Sequence, residues 1–269
     1  MNSELQLSQA SLQDYLDCRR RFYLRHVLRL DWPGHQTDHA EQQQIRAQRG
    51  VTFHRLLHQY LIGLPEERLA AIASEAGLDN WWRSYRQYPV AGLQSKNFAE
   101  ISLSAPLSAH RLVAKYDLVS IGSQVMIVDW KTSKRKDETW LKARMQTRVY
   151  RYLMVLAGHD LHGGVEPDRV EMVYWFADDA QDPVRLSYDQ PQFEQDGRDL
   201  RTVVEEIDSL TEDEFVLTDD TSRCRFCAFR SLCDRGVLPG SFDEFESDFE
   251  ADELTHAEID YDQIGEIAF

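Results

Sequence analysis

The chain has 269 residues, of which 42% are hydrophobic and 28% charged. That composition excludes a collagen-like or wholly disordered chain and leaves enough apolar material for a substantial core. The formal charge of −16 argues against a protein that coats nucleic acid indiscriminately, and no window approaches 18 consecutive apolar residues, so neither a membrane span nor a membrane partner is expected. The N-terminal stretch has no basic segment followed by an apolar one, which leads to an expectation of a cytoplasmic protein. The charge is uneven. Residues 241–269 hold 11 acids and no Lys or Arg, leaving −5 for the rest, while Arg19, Arg20, Arg21, Arg25 and Arg29 crowd one short stretch.

Residues 8–30 read as a helix capped by Ser8 or Ser11, with Leu12, Tyr15, Leu16, Phe22 and Tyr23 recurring at helical spacing. A polar turn from residue 31 leads into a further helix that continues through Gly50 to about Leu61. After Gly63–Pro65, helices are expected over 66–76 and 79–87. The pattern then changes. Residues 98–104, 110–119 and 124–131 read as strands, the last two forming a hairpin around Ile121-Gly122-Ser123. A helix over 138–157, strands over 169–176 and 184–188, and a helix over 192–209 follow. This order predicts an α/β fold with a mixed sheet, entered through a helical N-terminal region. The last 30 residues read as an acidic tail.

Asp129 and Lys131 are two apart on a strand and so point to one face. A hairpin centred on Gly122 would set Asp117 opposite residue 127 and diagonal to Asp129, roughly 7 Å away. Two carboxylates so placed can share a hard divalent ion such as Mg²⁺ or Mn²⁺, and an adjacent lysine can orient water or stabilise charge on phosphorus. The apolar approach Val125-Met126-Ile127-Val128 sets these groups apart from an ordinary solvated surface strand.

Cys224, Cys227 and Cys233 follow a C-x2-C-x5-C spacing short enough for three thiolates to converge on one metal. Cys18 is the only other cysteine and would complete an S₄ centre, either Zn²⁺ or an iron–sulfur cluster. Arg19, Arg20, Arg21 and Arg25 either offer a path for DNA, with Phe22 or Tyr23 nearby for stacking, or solvate a helix face over a buried Phe22 and Tyr23.

These segments resemble the RecB-like branch of the PD-(D/E)XK nuclease superfamily, which includes CRISPR-associated exonucleases. Gly50 to His54 matches a Gly-x-x-x-His helix motif. Ala114-Lys115-Tyr116-Asp117 matches Gly-x-x-Asp with Ala for Gly, Asp129-Trp130-Lys131 matches Asp/Glu-x-Lys, and Gln146 to Tyr150 matches Gln-x-x-x-Tyr. The resemblance implies a restriction-endonuclease-like fold, a mixed central sheet flanked by helices. It implies that His54, Asp117, Asp129 and the carbonyl of Trp130 ligate Mg²⁺ or Mn²⁺, that Lys131 is the catalytic lysine, and that Gln146 and Tyr150 support the site and contact DNA. Cys18, in YLDCRRRFYL, resembles the cysteine that precedes the core in cluster-bearing members, with Arg19 at the usual proline position. A [4Fe–4S] cluster on Cys18, Cys224, Cys227 and Cys233 is then implied, stapling the chain ends together. The expected organisation is a nuclease domain over 1–240, with a helical region over 1–90, a core over 91–210 and a cysteine segment over 221–235, followed by the tail 241–269. The implied activity is a metal-dependent deoxyribonuclease, an exonuclease on single-stranded ends in DNA repair, recombination or CRISPR-associated processing. DNA is the expected partner, together with a separate helicase or a CRISPR or repair protein. The rival reading is a non-catalytic nucleic-acid-binding or scaffold subunit with the same fold.

Overall fold

The computed structural model describes residues 5–30, 38–134 and 137–240. The acidic tail expected over 241–269 lies outside these residues.

The N-terminal helix is shorter than its periodicity suggests. Ser8 caps α1 (Gln9–Asp17) through a reciprocal pair with Ser11. Cys18 is extended, with φ −164° and ψ 108°, and ends it. A short α2 (Arg19–Phe22) and a π turn (Tyr23–Val27) follow. The apolar spacing survives this interruption because Leu12, Tyr15 and Phe22 all enter one core. Ahead of the helices, Gln6–Leu7 forms β1, a two-residue strand too short to carry any periodicity of its own.

Helices α3 (Asp38–Leu61), α4 (Glu66–Glu75) and α5 (Asp79–Gln87) match expectation closely. The strands are β2 (Lys96–Leu107), β3 (His110–Ile121), β4 (Val125–Lys131), β5 (Val170–Phe176) and β6 (Val184–Ser187). The helix expected over 138–157 is two, α6 (Glu138–Ala143) and α7 (Met145–Ala157), because Arg144 is extended with ψ 142°. Thr147 Oγ1 donates to the Leu141 carbonyl, which also accepts from Arg144 N–H, and Gln13 accepts from the Met145 N–H that the break leaves over. After α8 (His159–His162), α9 (Gln190–Ser209) closes the core and α10 (Arg230–Cys233) lies in the cysteine segment.

The six strands form one mixed sheet. β4 pairs with β5 in parallel, while β2 with β3, β3 with β4 and β5 with β6 are antiparallel. Leu12, Tyr116, Val149, Leu153 and Leu200 fill the layer between the sheet and α1, α7 and α9. Phe53, Leu57, Trp81, Tyr85, Trp130 and Trp175 fill the layer against α3, α4 and α5. β4 alternates between the two, Val125 and Ile127 into the first, Met126, Val128 and Trp130 into the second, so every residue of it is buried. Covered on both faces, a central strand needs no polar side. This three-layer arrangement is the restriction-endonuclease-like α/β fold.

Two irregularities shape the sheet. Since β2 runs along one edge of β3, the other edge is shared by β1, at Arg111–Leu112, and by β4, at Leu118–Ile121. The edge is therefore forked, and Asp117 stands in the fork. The alternation of β3 also breaks there. Leu112, Ala114 and Tyr116 face the first core, Leu118 the second, and Val119 and Ile121 the first again. β2 breaks opposite. Ala99 pairs with Leu118 and Ile101 with Tyr116, but Glu100, with φ 56° in the left-handed region, makes no pair across from Asp117.

Candidate active site

The hairpin turn lies one residue further along the chain than expected. It comprises Gly122, Ser123 and Gln124, with Gly122 N–H donating to the Gln124 carbonyl and Ile121 paired to Val125. The register is accordingly two positions on from a hairpin centred on Gly122. Asp117 falls in line with Asp129 instead of residue 127, a correction that preserves the shared face because side chains alternate with period two. The backbone ladder stops at Leu118–Val128, and Asp117 Oδ2 takes the next N–H itself, accepting from Trp130 at 2.9 Å. A strand residue's N–H and C=O leave the same edge. The Trp130 carbonyl therefore also leaves toward Asp117, while the Lys131 carbonyl, on the other edge, accepts from Ala177.

His54 projects from α3, whose neighbouring Phe53 and Leu57 anchor it in the second core. Its Nδ1 lies 3.3 Å from Asp117 Oδ1. Burial works against the Asp117 charge, but His54, the Trp130 N–H and Lys131 outweigh it and hold the carboxyl below its ordinary range.

Asp129 and Lys131 are 4% and 1% exposed. Lys131 Nζ meets Asp129 Oδ2 at 2.9 Å. Gln146, on the first turn of α7, closes the group by donating to Asp129 Oδ1 at 2.7 Å and accepting from Lys131 at 2.9 Å. The helix break at Arg144 is what brings Gln146 to this point. Tyr150, one turn on, shares a hydrogen bond with Gln146, and burial pushes its hydroxyl well above the ordinary value. Its ring packs 4.8 Å from Tyr116, whose hydroxyl donates to the Tyr150 carbonyl.

The structure thus brings His54, Asp117, Asp129, Trp130, Lys131, Gln146 and Tyr150 to one end of β3 and β4. Two contributors were not legible in sequence. Tyr174 stands beside Asp129 on β5, 5.7 Å under the Lys131 ammonium, and its hydroxyl bonds Thr147 at 2.7 Å. Both depend on a parallel pairing that no local pattern announces.

Among the described residues, no three His, Cys, Asp or Glu side chains converge closely enough to hold a metal ion as arranged. The donor set nevertheless suits a hard divalent cation, with a carboxylate held ionised, an imidazole beside it and a backbone carbonyl directed to the same place.

The cysteines tell a similar story. Cys18, Cys224, Cys227 and Cys233 line one cavity of ≈ 20 Å³, together with Arg21 and Arg230. All four are free thiols. The tight S₄ centre expected from their spacing is not closed. Burial, followed by the influence of Cys227, Cys18 and Cys224, raises the Cys233 thiol, and burial likewise raises Cys227. Thiolates gathered without a cation repel one another. The cavity joins the N-terminal helices to the cysteine segment, with Arg20 N–H donating to the Val216 carbonyl and Arg223 pairing with Asp17 at 3.4 Å.

Of the four arginines expected along a DNA path, Arg21 is drawn inside, bonded to Asp14 and Asp17 at 2.7 Å each. Arg25 also meets Asp14, at 2.9 Å, and Arg19 pairs with Glu206. Arg20 lies over the Tyr23 ring.

A family profile described as the PD-(D/E)XK nuclease superfamily matches residues 6–234. No curated protein matches the sequence significantly. Among solved structures, a candidate exonuclease from Eubacterium rectale superposes with a TM-score of 0.49 at 10% identity, over 89% of this chain and 92% of that one. A crystal structure described only as SSO0001 gives 0.39 at 11%, over 88% and 90%. No helix among the described residues is long and apolar enough to cross a membrane.

Proposed function

Because the chain belongs to the PD-(D/E)XK nuclease superfamily, we propose that it is a Mg²⁺- or Mn²⁺-dependent deoxyribonuclease of the RecB-like branch, acting as an exonuclease on single-stranded DNA. The observation that carries the reading is the buried Asp129–Lys131–Gln146 group beside the His54–Asp117 pair. A lysine with 1% exposure, held by a carboxylate and an amide, has no packing advantage over an apolar residue.

His54, Asp117, Asp129 and the Trp130 carbonyl would hold the cation, which supplies charge neutralisation at the phosphate and eases deprotonation of water. Lys131 and Asp129 would orient the attacking water, and the Lys131 ammonium would offset charge developing on the phosphate. Gln146 keeps both groups in place, and Tyr150 keeps Gln146 in place. Arg19 and Arg20 would guide the strand by its phosphates.

Cys18, Cys224, Cys227 and Cys233 would hold an iron–sulfur cluster, with zinc as the alternative. What supports this is their shared cavity and its arginines, which offset thiolate charge. The metal would be a staple in a single nuclease domain of about residues 1–240, bringing the four thiols closer than they stand. The protein would act in the cytoplasm, in repair, recombination or CRISPR-associated processing, beside a separate helicase or repair protein.

The test is cleavage of end-labelled single-stranded, duplex and tailed DNA by protein purified without oxygen, with Mn²⁺, Mg²⁺ or EDTA. Metal-dependent cutting that is lost in K131A and D129A supports the reading. Equal cutting by both variants rejects the assigned site, and no cutting by folded, metal-loaded protein rejects the enzyme.

A further inference from the structure

We propose that Lys115 and Glu100 form a second phosphate contact beside the reacting centre. Lys115 takes a backbone phosphate of the bound strand, and Glu100 occupies that place until the strand displaces it. The proposal rests on the nuclease reading above and adds a substrate-binding residue to it.

Lys115 lies two residues before Asp117, about 7 Å along β3. It is the exposed residue between buried Ala114 and Tyr116, and 42% of its side chain is accessible. A lysine on the solvent side of a strand, one step from a metal-binding carboxylate, stands where the neighbouring phosphate of a bound strand must pass. Lysine binds phosphate as a point charge and so tolerates a moving, sequence-independent substrate.

The partner is unusual. Glu100 stands across from Asp117 at the one place where the long β2–β3 ladder lapses. Its φ of 56° is unfavourable for a residue with a Cβ. With the backbone so turned, its carboxylate reaches diagonally to the Lys115 ammonium. Regular pairing would leave Glu100 opposite Asp117, two carboxylates face to face, which is repulsive. The left-handed turn replaces that repulsion with an ion pair, and the carboxylate oxygens then sit where phosphate oxygens would.

The test is binding of a labelled single-stranded oligonucleotide in EDTA, where cutting is blocked, across a series of salt concentrations. K115Q should weaken binding five- to tenfold and reduce the salt slope by about 0.7, one single-strand phosphate contact. E100Q should tighten binding several-fold. The double variant should behave as K115Q does, because Glu100 acts only through Lys115. Thermal melts establish that each variant is folded. An unchanged slope in K115Q would make the pair an ordinary surface ion pair and overturn the proposal. So would an E100Q protein whose DNA affinity is unchanged but whose Mn²⁺ requirement rises, since Glu100 would then be a cation ligand. If the unmodified protein cuts DNA while both variants bind as it does, only this inference falls. If the unmodified protein neither binds nor cuts, the nuclease reading falls with it.

Discussion

Replacing Lys131 by Met isolates the cost of the buried charge pair. Asp129 Oδ2 and Lys131 Nζ lie 2.9 Å apart, with side chains 5% and 1% exposed. Removing one partner of such a pair typically costs 3–5 kcal/mol, because the other charge stays buried without it. Gln146 still donates to Asp129 at 2.7 Å in the variant, which places the expected loss at the lower end, about 3 kcal/mol. For a domain of this size that is a fall of about 10 °C in Tm. The informative comparison adds D129N. Neutralising both members removes the stranded charge, so the double variant should be more stable than the summed single losses by about 2 kcal/mol. Urea unfolding in EDTA measures all four proteins without competition from a bound cation. A K131M protein as stable as the unmodified one, or single losses that simply add, would refute the claim that the pair is a linked, buried unit.

Acid stability should report on Asp14. Burial opposes its charge, but Arg21, His26 and Arg25 surround it and lower its pKa to about 2 from 3.8. A depressed pKa stabilises the fold fully above 3.8 and loses that contribution as pH falls toward 2, about 2 kcal/mol in all. D14N should therefore be less stable at neutral pH and show a flatter acid limb between pH 4 and 2 in pH-resolved melts; an unchanged limb would reject the assignment. H54A should fold normally and require at least tenfold more Mn²⁺ for half-maximal cutting, read from metal titrations of cleavage; an unchanged requirement removes His54 from the ligand set. C18A and C224A should each lose bound iron or zinc and expose both residues 8–30 and 221–235 to amide exchange. Loosening of one segment alone would contradict a shared staple. T147V loses bonds to the Leu141 carbonyl and the Tyr174 hydroxyl, and should cost about 1–3 kcal/mol in denaturant unfolding.

What sequence conveyed well was local. Helices α4 and α5, the three central strands and the Gln146–Tyr150 face were all legible from spacing, because one-sided burial imposes a period the eye can follow. What it missed was set by partners distant in the chain. Periodicity runs through Cys18 and Arg144 without a mark, since an extended residue between two helical turns leaves the apolar positions on the same side. The two-residue register error in the hairpin arose because a Gly suggests a turn without fixing its centre, whereas Gly122 N–H bonds the Gln124 carbonyl, Ile121 pairs with Val125, and the centre moves to Ser123. Strand β1 is held by Leu5 N–H on buried His110 and by two pairs to β3, neither of which a dipeptide can advertise. Arg21 looked like surface charge because spacing, which sets Asp17 and Asp14 on the same helical side as Arg21, does not reveal that all three side chains are buried.

The forked edge explains why the candidate site lies where it does. Had β3 and β4 continued to pair, Tyr116 would face Trp130 across the ladder, and no N–H or carbonyl would remain for a side chain. Instead Tyr116 is fully buried against Tyr150, and its hydroxyl is committed to the α7 backbone. That contact draws β3 toward α7 just where the ladder to β4 stops. The Trp130 N–H then needs an acceptor, and Asp117 provides it at 2.9 Å. A carboxylate held by a backbone amide has little freedom to turn away, so its other oxygen stays directed at His54. Across the fork, α7 restarts after Arg144 with Gln146 in its first turn and fixes Asp129 and Lys131 from the far side. Asp117, Asp129, Lys131 and Gln146 are thus each oriented by contacts made within the fold itself.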